Sequence, residues 1–174
     1  MTTPAARPFH VEPVSGFTPL IGHLVSMLED ARRTLLEAVD GLTQPELDFL
    51  LDDHANSIGA LLDHVASVEE SFQEYTFGEA YEPRTSDRRM IGGRLGDEAR
   101  TTIRGHDLAH YTDRLAAVRA FTLAELAKHD DAWLHDEVRL RNDRVANHFW
   151  CWYHAMEDEL NHRGQIRLIR KRLP

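Results

Sequence analysis

Apolar residues recur at three- and four-residue intervals through several stretches of helical length, and this periodicity constrains the chain more than any other feature. The first stripe comprises Leu20, Leu24, Met27, Leu28, Ala31, Leu35 and Ala38, set against Glu29, Arg32, Arg33 and Glu37. Thr18 and Pro19 announce the helix as a capping side chain followed by a first-turn proline, and Gly41 ends it after about Val39. After the turn GLTQPELDFLLDD, a second helix capped by Asn56 or Ser57 carries Ile58, Leu61, Leu62, Val65, Val68 and Phe72 inward and stops near Gly78. A third runs from about Tyr111 to His129 on Leu115, Val118, Phe121, Leu123 and Leu126. The fourth begins between Asn142 and Val145 and reaches about Lys171, bearing Val145, Phe149, Trp152, Met156, Leu160 and Ile169. Strand-like alternation competes nowhere. From GEAYEPRTSDRR to about Gly105 the composition is Gly, Pro, Asp, Arg and Ser without a sustained period, a long connection with room for a short helix. The expectation is an all-α four-helix bundle with a long connection between helices 2 and 3, one domain over residues 1–174 with residues 1–17 as an extended arm.

Composition narrows the function classes. A single cysteine, Cys151, excludes an internal disulfide framework and a cysteine-rich zinc cluster, so any metal must be held by His and carboxylate. Cys151 itself reads as a small buried hydrophobe. With 29 acidic against 20 basic side chains and a formal charge of −9, phosphate neutralisation is poorly supplied, which argues against a nucleic-acid partner. The start MTTPAARPFHVEP lacks a basic-then-apolar leader, and no stretch approaches the roughly 20 apolar residues of a membrane span, so a cytoplasmic protein is expected. Eleven histidines are many for this length, but His10, His54, His106, His129 and His135 fall in segments that read as loops.

Chemistry concentrates on the last helix. Asp158 and His162 are four residues apart and therefore share a face, about 6 Å apart along the axis. His154 stands four before Asp158, but it lies roughly 12 Å from His162, too far for both to hold one ion in ordinary geometry. A third ligand must come from another helix. His64, beside the inward stripe of the second, is the best placed. Each signal alone has an ordinary explanation, a boundary histidine satisfied by a carbonyl or carboxylate in one case and a surface pair in the other.

The segments LTQPELD…NSIGALLDHVASVEE and HAMEDELNHRGQIRLIRKRL resemble the DinB/YfiT-like superfamily of metalloenzymes over most of the chain, most specifically at His64 and at His162-Arg163-Gly164-Gln165. That resemblance implies a four-helix bundle, commonly a homodimer, in which a histidine of the second helix and an HxxxH pair of the last hold a divalent ion. The first position of the pair is here Asp158, a substitution also met in mycothiol-dependent maleylpyruvate isomerases. The implied ligands are His64, Asp158 and His162, with zinc first and nickel, iron or manganese as alternatives.

Around this centre, Glu69 and His154 are candidate catalytic residues, as ligand-orienting or proton-shuttling groups, and Gln165 a hydrogen-bonding neighbour. Gly164 reads as a close-packing position. Trp150, Trp152 and Tyr153 either wall a pocket or belong to core or interface. The resemblance implies a metal-dependent enzyme acting on a small-molecule substrate with a low-molecular-weight thiol, of the mycothiol-type S-transferase or isomerase kind. A metal-dependent hydrolase and a non-catalytic, stress-associated or ligand-binding bundle are the rival readings.

Overall fold

A computed structural model describes residues 9–78 and 91–174; the first eight residues of the arm and residues 79–90 of the long connection lie outside them. Four long helices carry the architecture: α1 (Pro19–Val39), α3 (Ile58–Phe77), α5 (Leu108–Leu126) and α6 (His148–Arg170). Two short ones, α2 (Gln44–Leu47) and α4 (Asp97–Thr102), sit in the connections. Helix α3 packs against both α5 and α6, and α1 packs on α6 with a slighter contact to α5. The all-α bundle expected from the stripes is what forms.

Several details depart from the sequence reading. Thr18 occupies the cap position of α1 but its side chain does not cap the helix. Asp131 does so instead: one carboxylate oxygen accepts from the Leu20 and Ile21 N–H groups at 3.0 Å each, and from the Thr18 hydroxyl. The turn after Gly41 contains α2, closed by a Thr43/Glu46 capping box. Of the two candidate caps for α3, Ser57 accepts from the Ala60 N–H, whereas the Asn56 carboxamide accepts from Gly96 N–H at 3.2 Å. Helix α5 starts three residues before the expected Tyr111, because Asp107 caps it by accepting from His110 N–H. Helix α6 begins at His148, after the expected start, because the chain first forms an antiparallel hairpin, β1 (Glu137–Arg139) with β2 (Val145–Asn147). Three-residue strands are too short to show alternation.

The core divides into two apolar clusters along the bundle axis. One gathers Leu35, Val39, Leu47, Ile58, Leu61, Leu62, Val65, Leu115, Ile166 and Ile169. The other gathers Ile21, Leu24, Leu28, Phe72, Phe77, Leu126, Cys151 and Trp152. A layer of buried charge separates them, with one residue from each long helix: Arg32, Glu69, Arg119 and Glu159. Arg32, read from the sequence as part of the polar face of the first helix, is 6% exposed. No helix among the described residues is long and apolar enough to cross a membrane.

Candidate metal centre

Helices α3 and α6 bring His64, Asp158 and His162 together. Among the described residues these three form a group whose potential ligand atoms all lie within 4.8 Å of one another. Their side chains are only 12%, 17% and 9% exposed respectively. His64 Nε2 is 3.5 Å from Asp158 Oδ2, His162 Nε2 is 3.3 Å from Asp158 Oδ1, and the two imidazoles meet edge to face at 4.6 Å. Two ligands bound to one zinc at about 2.0–2.1 Å with tetrahedral angles stand about 3.4 Å apart, so these spacings are those an ion would require.

The hydrogen bonding is incomplete in the way an ion-binding group should be. His64 Nδ1 lies 2.8 Å from the Gly92 carbonyl oxygen. A carbonyl only accepts, so Nδ1 carries the proton and the Nε2 lone pair faces Asp158. That sets acceptor against acceptor. Asp158 Oδ2 and His162 Nδ1 are buried without a hydrogen-bond partner. Without an ion, a proton relieves the opposition: burial works against a charged His64, but hydrogen bonding and attraction to Asp158 outweigh it and raise its pKa. Burial also penalises the Asp158 carboxylate, yet His162 and His64 hold its pKa well below the usual range.

Gly92 was not singled out in the sequence. Its carbonyl reaches His64 only because the helical turn at 91–94 lies directly on α3. A Cβ at Gly92 would stand 2.5 Å from both Asp63 Oδ2 and Ser67 Oγ, so any other residue would force those side chains or the turn to shift. Arg114 of α5 braces the same spot, 2.6 Å from Asp63 Oδ1, 3.1 Å from Ser67 Oγ and 2.7 Å from Glu70 Oε2.

Glu69 and His154 lie outside the trio. Glu69 is 2% exposed, and its Oε1 accepts from Arg119 Nε at 2.8 Å and from the Thr122 hydroxyl at 2.7 Å. Its Oε2 accepts from Arg32 Nη2 at 2.9 Å and from Arg119 Nη2 at 3.1 Å. Burial would raise the Glu69 pKa, but the two guanidinium groups and the hydroxyl bring it down to about 2. Glu159 completes the layer, accepting from Arg32 Nε at 2.7 Å and Arg119 Nη2 at 3.1 Å. His154 remains partly accessible one turn from Asp158; its ring stacks on Trp150 at 4.8 Å and its Nδ1 is 3.0 Å from Glu157 Oε2. Gln165 and Gly164 are exposed, and nothing lies within 4 Å of a Cβ built on Gly164, so that glycine is not a packing position. Trp152 is wholly buried in the core, whereas Trp150 and Tyr153 are exposed. Cys151 is buried with its thiol pKa pushed up to about 11 by desolvation, which removes it as a nucleophile.

The model of one family, described as mycothiol-S-transferase, matches residues 23–174 and so spans both helices that supply the trio. The chain belongs to the mycothiol-S-transferase family, a DinB-like family. In general this is a family of metal-dependent, thiol-related enzymes acting on small molecules. The fold is similar to that of a conserved protein from Enterococcus faecalis known from a crystal structure, with a TM-score of 0.64 and 16% sequence identity over 85% of this chain and 93% of that one. No curated protein matches the chain. Among the described residues, the trio is a group that could hold a metal ion.

Proposed function

We propose that this chain is a divalent-metal-dependent S-transferase using a low-molecular-weight thiol of the mycothiol type, with His64, Asp158 and His162 as the ligands of the ion. The observation that carries this reading is the meeting of two imidazole nitrogens with one carboxylate at 3.3 and 3.5 Å among largely buried side chains, with Asp158 Oδ2 and His162 Nδ1 lacking a hydrogen-bond partner. Two imidazoles and a carboxylate suit zinc first, and three protein ligands leave a coordination position for a further group. A divalent ion at such a centre supplies positive charge that favours the deprotonated form of a coordinating thiol.

The protein's own groups do the rest. Gly92 fixes the His64 tautomer, and Asp158 contributes the negative charge that attracts a cation. His154 is the group placed to take the proton released by the thiol: its ring lies one turn from Asp158 and retains access to solvent, and Glu157 Oε2, 3.0 Å from Nδ1, orients it. Glu69 has no part in proton transfer at neutral pH, since four hydrogen bonds from Arg32, Arg119 and Thr122 keep it ionised. The family resemblance supports a homodimer and a cytoplasmic location, which sedimentation and cell fractionation check.

The test is metal content of protein purified without a histidine tag, together with metal-dependent consumption of a thiol by an electrophile. His162→Ala and His64→Ala are expected to lose both. Equal, low metal content and equal thiol consumption in wild type and variants would overturn the reading.

A further inference from the structure

The α6 ligands belong to a longer row. Trp150, His154, Asp158 and His162 recur every four residues along α6, each beside the next, in a row that winds slowly around the helix. Opposite them, Phe72 of α3 stands edge-on to both Trp150 and His154, at 6.3 and 5.9 Å. At the far end of the row, the hairpin and Trp150 border an open surface cavity of about 250 Å³ lined by Leu140, Arg144, Val145, Ala146 and Trp150. It lies outside the ligand trio, with Trp150 about 12 Å along the helix from Asp158.

Three features of this cavity specify a ligand. Its apolar wall is exposed where burial would be expected: Val145 is 56% and Trp150 41% exposed, although each is large and hydrophobic. The indole is held in place before any ligand arrives, because His154 stacks on it at an interplanar angle of 12° and Phe72 buttresses both rings. The lining has one charged side chain, Arg144, which no carboxylate among the described residues engages, while Arg139 across the hairpin is held by Asp143 at 3.4 Å. A preorganised ring surface favours a planar aromatic group, and an unengaged guanidinium favours a carboxylate.

We infer that this cavity is a binding subsite for a planar aromatic carboxylate, with the ring against Trp150 and the carboxylate on Arg144. Its assignment to the electrophilic co-substrate of the transferase rests on the function proposed above; the binding itself does not. A co-substrate held there would have its ring at Trp150 and its reacting end directed along the α6 row toward Asp158.

Calorimetric titration with 2-naphthoate and with the neutral 2-naphthamide tests this on protein purified as it stands and on protein treated with chelator. Wild type is expected to prefer the carboxylate in both forms. Arg144→Gln should weaken 2-naphthoate about tenfold and leave 2-naphthamide unchanged. Trp150→Leu, which keeps apolar bulk but removes the ring, should weaken both about fivefold. Circular dichroism melting confirms that both variants are folded, the substituted side chains being on the surface. Two results would overturn the subsite: equal binding in wild type and both variants, or 2-naphthoate binding that survives Trp150→Leu and disappears with His162→Ala or chelator. The second would place the carboxylate on the ion and leave the function proposed above intact. Loss of metal binding as the basis of function, with the Arg144 and Trp150 effects retained, would do the reverse.

Discussion

Two clusters of ionisable side chains lie side by side in this bundle, and they are built on opposite terms. In the charged layer, Arg32, Arg119, Glu69 and Glu159 balance one another, and the guanidinium groups also donate to the Leu28 and Leu115 carbonyls at 2.8 and 2.7 Å. Thr122 and Gln73 extend the same bonding, Gln73 donating to Thr122 Oγ1 and Val118 O at 2.9 Å each. In the cluster next to it, the His64 Nε2 lone pair faces Asp158, and Asp158 Oδ2 and His162 Nδ1 are buried without a hydrogen-bond partner. Adjacent residues on α6 divide between the two, Glu159 in the layer and Asp158 in the centre. The contrast separates a buried charge cluster whose bonding is complete within the chain from one whose bonding is not, the arrangement on which the proposed metal site rests.

The largest expected effect comes from breaking the closed cluster. Glu69→Ala leaves two buried guanidinium groups with one buried carboxylate, Glu159, and the half-exposed Glu29 on Arg119, and should cost about 3–5 kcal/mol in urea unfolding. A loss below 1 kcal/mol would mean that the layer is not closed. Acid sharpens the same point. The Glu69 pKa is lowered from its unfolded value to about 2, so its stabilisation is complete above the unfolded pKa of about 4.3 and is lost as pH falls through that window toward 2. Unfolding free energies between pH 5 and 2 should fall more steeply in wild type than in Glu69→Gln.

At the open cluster the expected effects are on metal affinity. Gly92→Ala should push the 91–94 turn off α3 and release the His64 tautomer. A 10- to 100-fold weaker metal Kd, read by competition with a chromophoric chelator, is the expected outcome. The smallest effect is His162→Ala in chelator-treated protein, whose melting temperature should stay within about 4 °C of wild type treated alike, a cost of under about 1 kcal/mol. A large drop there would make the trio structural and dissolve the contrast.

The helical stripes were legible because their period repeats over many residues, and Asp158 with His162 because helix geometry fixes what four residues mean. His64 needed the family resemblance to become a ligand rather than a boundary histidine. The charged layer was not read, although its signal was present: Arg32 falls four after Leu28 and three before Leu35, and Glu69 four after Val65 and three before Phe72. Charge on an apolar stripe looks like a solvated neighbour until four helices show the same anomaly at one level. Gly92 and Asp131 could not have been found by spacing, since each acts on a helix far away in sequence.

Asp131 also bears on the order of events during synthesis. The N–H groups of Leu20 and Ile21 donate to the carboxylate of a residue made more than a hundred positions later. At about 5–20 residues per second, several seconds of translation pass before α1 can be finished at its leading end. The leading end of α1 therefore depends on a residue made after α5 is complete, so this helix is finished later than one that follows it in the chain.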